Sequence, residues 1–158
     1  MKSTQKLPPP VAEPFFYAVM DTNVLVSALL KPASVPGKVL SEALVGRLLP
    51  IVCCAMVREY REVLARKKFR FSPAKVREVL SGLEQRAIRM EPQDVERLAA
   101  DVPDPKDAHF YAVTLNARKT LDARLVTGNT RHFPRASFVL TPREMLDVLA
   151  ACAPGSRR

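Results

Sequence analysis

The stretch over residues 17–29 places the strongest constraint on the fold. It begins with a short apolar run, passes through Asp21, Thr22 and Asn23, and then returns to apolar residues at helical spacing. This pattern predicts a buried strand that ends in a polar turn opening a helix. In parallel α/β sheets, functional side chains collect at the carboxyl ends of strands, where Asp21 would lie. The alternative is that Asp21 or Asn23 only caps the helix.

The rest of the chain repeats the alternation of strand and helix. Residues 31–37, KPASVPG, predict a loop because they are rich in helix breakers. An α/β domain with a central, mainly parallel sheet and helices on both faces is therefore expected. Further strands are predicted over residues 50–54, 87–90, 124–127 and 138–140, and further helices over residues 38–47, 55–66, 73–86, 105–118 and 142–150.

Length and composition predict a single domain over residues 15–150, with a flexible lead-in over 1–14 and a flexible tail over 151–158. No apolar run approaches the roughly 20 residues of a membrane helix, and no signal peptide is evident. A cytoplasmic protein is therefore expected. Lysine and arginine outnumber acids 25 to 16, and a net charge of +9 favours a polyanionic partner such as nucleic acid. Cys53 and Cys54 lie in an apolar run and are predicted to be core residues.

Four polar positions are predicted after strands or at helix starts: Asp21, Glu59, Asp107 and Asn129. Glu59 lies about 40° from Val63 around its helix, at the edge of the apolar stripe, whereas Glu62 points away. Glu59 is therefore expected to face the sheet. An ordinary boundary glutamate and, for Asn129, an ordinary turn asparagine are the alternatives.

The acids before the helix at 105–118 have a structural explanation. Asp104 is expected to cap that helix, with Pro105 at its first position. Asp107 shares a face with Phe110 and Tyr111, which suggests that it points toward the sheet, but the capping alternative stays open for it. The two histidines, His109 and His132, are interpreted as surface or supporting groups.

A doubly wound sheet would bring these positions to one edge. Crowded carboxylates repel one another and are costly to bury without a partner. A hard divalent cation removes that conflict, and oxygen ligands favour Mg²⁺ or Mn²⁺ over zinc. Such sites usually serve phosphoryl transfer.

Five blocks in order carry a family resemblance: MDTNVLVSALL, REYREVLARKKF, DPKDAHFYAV, RLVTGNTRHFP and LTPREML. They resemble PIN-domain proteins, and more narrowly the bacterial PIN branch assigned to the toxin side of toxin–antitoxin pairs and related to VapC. The resemblance covers about residues 16–150. It implies a three-layer α/β/α domain and an endoribonuclease that cuts RNA with Mg²⁺ or Mn²⁺.

The resemblance also implies roles for individual residues. Asp21, Glu59 and Asp107 match the family's acids, and Asn129 stands where many PIN domains have a fourth aspartate. Asp104 is a further metal-ligand candidate, which could compensate for the neutral Asn129. Two groups complete the set: Asn23 and Thr127 as pocket-lining residues, and Lys67, Lys68, Arg70 and Arg131 as contacts to the RNA backbone. The alternative for the basic cluster is a solvated helix end.

The expected partners are RNA, a cognate antitoxin and further copies of the chain in a homodimer or higher oligomer. Asn129 keeps one alternative open, a catalytically weak PIN-fold module that binds RNA or protein. The other alternative is a phosphotransfer domain of the HAD-phosphatase or receiver type. It is disfavoured because Asn23 stands where HAD enzymes need an aspartate, and the acid pair of a receiver is absent near the first strand.

Overall fold

The computed structural model describes residues 16–152. Its strands are β1 (Phe16–Met20), β2 (Leu48–Val52), β3 (Ile88–Arg89), β4 (Ala123–Val126) and β5 (Val139–Leu140). Its helices are α1 (Thr22–Leu30), α2 (Val35–Leu44), α3 (Cys54–Leu64), α4 (Pro73–Arg86), α5 (Val95–Leu98), α6 (Ala108–Ala117) and α7 (Pro142–Ala151). Short 3₁₀ turns span Lys67–Phe69, Pro105–Asp107 and Thr130–His132.

The strands form one sheet in the order β3-β2-β1-β4-β5, and every pairing is parallel. β1 is therefore central, and its side chains are almost all buried, which explains its unbroken apolar sequence. α6 packs against β1 and β4, whereas α2 and α4 pack against β2. The predicted three-layer α/β/α domain is confirmed, with a wholly parallel sheet among the described residues.

The loop predicted over residues 31–37 is wrong in its second half, because α2 begins at Val35. Ser34 caps the helix by accepting a hydrogen bond from the Gly37 backbone N–H, and Pro36 occupies the first turn, where its missing N–H costs nothing. A Cβ on Gly37 would lie 2.1 Å from the Pro32 carbonyl oxygen. The breakers in this segment therefore start a helix rather than prevent one.

The second strand lies two residues earlier than predicted, and this changes the position of the cysteines. Because β2 ends at Val52, Cys53 is buried but Cys54 is exposed at the start of α3. The prediction that Cys54 is a core residue is wrong. Its backbone N–H donates to Glu91 Oε1 at 2.8 Å, which satisfies one free donor of the helix end.

Two of the three helix starts predicted from a cap agree with the structure, whereas the helix predicted from Pro105 begins as the 3₁₀ turn Pro105–Asp107 and becomes α-helical only at Ala108. Ser72 caps α4, and Thr141 with Glu144 forms a full capping box on α7. The predicted lead-in over residues 1–14 lies outside the described residues, as does the predicted tail apart from residues 151 and 152, which end α7. Between residues 16 and 152, no single helix is long and apolar enough to span a membrane; α1 and α2 together reach that length but are bent by 106°.

Candidate functional site

The ends of β1 and β4 place two polar residues side by side. The Asp21 backbone N–H donates to the Val126 carbonyl at 2.9 Å, and the Thr127 N–H donates to the Leu140 carbonyl at 2.9 Å. The sheet ladder thus continues one residue past each strand. Thr127 Oγ1 then donates to Asp21 Oδ2 at 2.8 Å, and only 5% of Asp21 is exposed.

Asp21 occupies the N-cap position of α1 without a side-chain capping bond of normal geometry, although the backbone N–H groups of Thr22 and Asn23 lower the pKa of its carboxyl. Its Oδ2 instead accepts from Asn23 Nδ2 at 3.2 Å, and Asn23 Oδ1 accepts from the Gly128 N–H at 2.9 Å. Asn23 therefore connects the Asp21 carboxylate to the turn that follows β4.

Glu59 reaches the same edge of the sheet from α3. It is half-buried, and Thr22 Oγ1 donates to its carboxylate, whereas Glu62 is exposed. The neighbouring Tyr60 donates its hydroxyl proton to the Met20 carbonyl, which fixes α3 against the end of β1. Thr22 was not predicted as a site residue, since its partner lies 37 residues away in sequence.

Asp107 ends the turn Pro105–Asp107 and is half-buried at the start of α6. Burial raises its pKa to about 6, and the negative charge of Asp21 adds to the effect. Asp104 and Glu59 raise the Asp107 pKa further, whereas His132 lowers it. Burial likewise raises the pKa of Asp21, while the Thr127 hydrogen bond opposes the shift. The charges of Asp21 and Glu59 therefore both reach the Asp107 carboxyl.

Asn129 and His132 form a small network beside Asp107. The Asn129 amide nitrogen lies 2.9 Å from His132 Nε2, and His132 Nδ1 lies 3.8 Å from Asp107 Oδ2. A ring that carries its proton on Nδ1 fits both contacts. Asn129 Oδ1 accepts from the Arg131 backbone N–H at 3.2 Å, so both polar atoms of this amide already have partners. From the sequence, His132 was interpreted as a surface or supporting group. Its position three residues after Asn129 is the signal that could have placed it next to that residue.

The remaining predicted residues are all exposed, and among them the charge of Asp104 also raises the pKa of Asp107. Asp104 is exposed, and its Oδ1 caps the turn by accepting from the Lys106 N–H at 3.0 Å, as expected of a cap. Arg131 is exposed in the turn after β4, next to His132. Lys67, Lys68 and Arg70 follow α3, at the end of that helix away from its start at the sheet.

No three His, Cys, Asp or Glu side chains within residues 16–152 are arranged as a metal-binding group. The chemistry of the donors nevertheless fits a hard cation, because Asp21, Glu59 and Asp107 offer only carboxylate oxygens. Burial raises the pKa of both Asp21 and Asp107 by more than the His132 charge lowers it, so the ionised forms of these two carboxyls are costly at this site. Asp21, Glu59 and Asp107, with Asp104 as a further candidate, are the residues that would hold the ion, and their role as ligands stays a prediction.

We expect Thr127→Val to raise the pKa of Asp21, because valine keeps the shape of threonine but cannot donate to the carboxylate. Thr127→Ser retains the hydroxyl and should leave that pKa near the wild-type value. A titration of the Asp21 carboxyl carbon by NMR, with metals chelated, measures the difference. Equal pKa values in the two variants would show that the Thr127 hydroxyl does not tune this acid.

The pKa of Asp107 predicts how pH affects the metal. Since this pKa is raised from 3.8 to about 6, its contribution to stability is complete below pH 3.8 and is lost as pH rises to about 6. A metal needs the ionised form, so Mn²⁺ should raise the melting temperature of EDTA-treated protein more at pH 7.5 than at pH 5. Asp107→Asn should reduce this pH dependence. A shift of equal size at both pH values would contradict the assignment.

The comparisons with known proteins give one match. A family model described as PIN domain matches residues 17–131, which include every residue of the cluster. No curated protein and no solved structure matches the chain significantly.

Proposed function

Because this chain belongs to the PIN-domain family, we propose that it is a Mg²⁺- or Mn²⁺-dependent endoribonuclease. PIN domains are generally nucleases and usually bind divalent metal ions. The observation that carries the proposal is that the Asp107 carboxyl is partly buried and lies within the electrostatic reach of Asp21 and Glu59, so that burial and these two charges raise its pKa. A basic chain with a net charge of +9 is also suited to a polyanionic substrate.

The reaction is hydrolysis of a phosphodiester bond. When bound, the metal supplies positive charge that polarises the phosphate and acidifies the attacking water. Asp107 and Glu59 would hold that water or help to deprotonate it, and Asp21 would anchor the metal. Water oxygen bonds to phosphorus while the bond from phosphorus to the 3′ oxygen breaks, which leaves a 5′-phosphate and a 3′-hydroxyl.

Supporting residues set the geometry of these acids. Thr127 and Asn23 hold Asp21, and Thr22 holds Glu59. Arg131, exposed in the turn next to His132, is a candidate to contact the RNA backbone, together with Lys67, Lys68 and Arg70.

A nuclease assay tests the proposal directly. Protein stripped with EDTA should leave end-labelled single-stranded RNA intact, and added Mn²⁺ or Mg²⁺ should restore internal cleavage with 5′-phosphate products. Cleavage that persists in EDTA, or its absence with both metals, would contradict the proposal.

Asn129 favours one other candidate, a catalytically weak PIN-fold module that binds RNA or protein. A neutral amide whose two polar atoms are already bonded offers less to a metal than a free aspartate would. RNA binding without metal-dependent cleavage would support this candidate.

The same proposal includes a biological setting. The enzyme would be the toxin of a type II toxin–antitoxin pair, would act in the cytoplasm as a homodimer or higher oligomer, and would be inhibited by a cognate antitoxin. Growth arrest on expression, relieved by co-expression of a small neighbouring gene, is the expected result. Full growth despite accumulation of active protein would contradict the toxin role.

A further inference from the structure

The turn after α3 exposes two stacked aromatic rings. We call residues 66–71 the aromatic turn; it contains Phe69 and Phe71, whose ring centroids lie 5.5 Å apart with planes 13° from parallel. Lys68 Nζ lies 5.0 Å from the centroid of Phe69. Arg70 has a φ of 57°, a left-handed conformation that is uncommon for residues other than glycine. The turn thus holds a defined shape around the ring pair.

The two rings differ in what they do for the fold. Phe71 packs against the hydrophobic core, whereas Phe69 is not part of that packing and remains half-exposed. Its ring contacts among the described residues are Phe71 and Lys68. Core packing therefore does not explain why an aromatic residue stands at position 69.

Positive charge is concentrated around these rings. No acid occurs between Glu62 and Glu78, whereas that interval contains six cations. Five of them form no ion pair with a carboxylate of residues 16–152; these are Arg66, Lys67, Lys68, Arg70 and Arg77. All five are exposed. Such a patch attracts a polyanion.

An apolar groove of about 590 Å³ adjoins the turn, between α3 and α4. Its apolar lining includes Leu64, Phe71, Val76 and Leu80. Arg77 and the ion pair of Arg61 with Glu84 also line it, so the one acid in the groove is neutralised. Phe71 belongs to both the groove and the ring pair, so the two features form one continuous surface. That surface offers a flat ring, an apolar recess and unpaired cations together.

We infer that the aromatic turn and this groove bind single-stranded nucleic acid, with an unpaired base stacked on Phe69 and the phosphates held by the surrounding cations. Base stacking on an exposed aromatic ring within a basic groove is how single strands are bound without sequence preference. An acidic peptide would also pair with the cations, but it has no flat base to cover the Phe69 ring. That the strand is RNA rests on the proposed function.

The position of this surface specifies the substrate further. Ala65 lies about 9 Å beyond Glu59 along the axis of α3, from a rise of roughly 1.5 Å per residue. A strand that contacts both the aromatic turn and the carboxylates must span at least this separation, so its unpaired segment must be longer than the nucleotides at the cut. We expect RNA with an unpaired stretch to be the substrate and a continuous duplex to be a poor one.

Binding measured without cleavage tests the inference. In EDTA, fluorescence anisotropy should show that wild-type protein binds a labelled single-stranded RNA more tightly than the same sequence as a duplex. Phe69→Leu keeps an apolar side chain but removes the flat ring, and should weaken single-strand binding about tenfold, within the usual range for one lost stack. A 2-aminopurine base in the RNA should change its fluorescence when it stacks on Phe69 of the wild-type protein. This change should be absent with the Phe69→Leu variant.

A second variant addresses charge, with a matched control. Lys67→Gln with Lys68→Gln should reduce the slope of log affinity against log salt by about 0.7 per lysine. Lys119→Gln removes an exposed lysine beyond the end of α6, and should leave affinity and slope unchanged. Phe69→Leu should weaken binding without altering the slope.

The outcomes separate this inference from the proposed nuclease activity. Wild-type binding through Phe69 without cleavage in Mn²⁺ would overturn the activity and leave the binding surface standing. If the wild-type protein cleaves RNA but the Phe69→Leu variant binds single strands as tightly as the wild type, the proposed binding surface is wrong and the nuclease activity still stands. Equal binding of duplex and single strand, no binding at all, or displacement of the RNA by poly-glutamate as efficiently as by unlabelled RNA would also overturn it.

Discussion

Asp21→Asn should abolish metal-dependent RNA cleavage while leaving the folded protein at least as stable as the wild type. The loss should reach about a thousandfold, because a metal contributes several kcal/mol to such a reaction and asparagine lacks the charge to hold it. The asparagine oxygen can still accept from the Thr127 hydroxyl, so the local hydrogen bond is retained. Cleavage of end-labelled RNA and urea unfolding measure the two effects.

The sign of the stability effect follows from burial. Because burial raises the pKa of Asp21 above 3.8, its ionised form opposes folding at neutral pH. The variant is neutral at every pH, so its free energy of unfolding should exceed that of the wild type at pH 7. The difference should shrink as pH falls through the raised pKa of Asp21, and it should vanish below pH 3.8, where the wild-type carboxyl is protonated in both the folded and the unfolded state.

Asp147→Asn is the matched control, because it removes an exposed carboxylate on α7. It should leave cleavage unchanged, because Asp147 is outside the cluster of carboxylates. Wild-type cleavage by Asp21→Asn would mean that the activity belongs to another site or to a contaminant. A variant that loses both cleavage and stability would show that the Asp21 charge supports the fold.

The position of Asp21 could be predicted because the pattern that defines it is local. An apolar run, a polar residue and a helical pattern occupy 13 consecutive residues, and the carboxyl end of a central parallel strand follows from them. The contact from Thr22 to Glu59 could not be read in this way, because it depends on how α3 packs against α1. The inward orientation of the Glu59 side chain could be predicted from the helix, but its hydrogen-bond donor, Thr22, could not.

Charge was similarly easier to predict than shape. The cations of the aromatic turn are visible in the sequence, whereas the stacking of Phe69 on Phe71 depends on the backbone of Arg70. The early start of α2 was missed for a related reason. Proline and glycine act as breakers in most contexts, but the first turn of a helix tolerates them once Ser34 caps it.

Phe110→Ala should produce the largest loss of stability that we expect from a single core substitution near the site. Phe110 is 1% exposed on α6, and its ring centroid lies 6.3 Å from that of Tyr60 on α3. Removal of a buried phenylalanine ring costs about 3–5 kcal/mol. For a chain of this size that corresponds to a fall of roughly 6–20 °C in melting temperature, measurable by circular dichroism.

The same contact links stability to the site. Phe110 follows Asp107 by three residues and Tyr60 directly follows Glu59, so the ring pair fixes the spacing of two helices that carry carboxylates. We therefore expect Phe110→Ala to reduce the Mn²⁺-dependent rise in melting temperature as well. Phe110→Leu fills most of the space and should lose less than about 1.5 kcal/mol, with more of the metal effect kept. Phe69→Ala removes a ring outside the core and should lower the melting temperature less than Phe110→Ala does. If the Phe69→Ala variant melts at or below the temperature of Phe110→Ala, the packing role given to Phe110 is wrong.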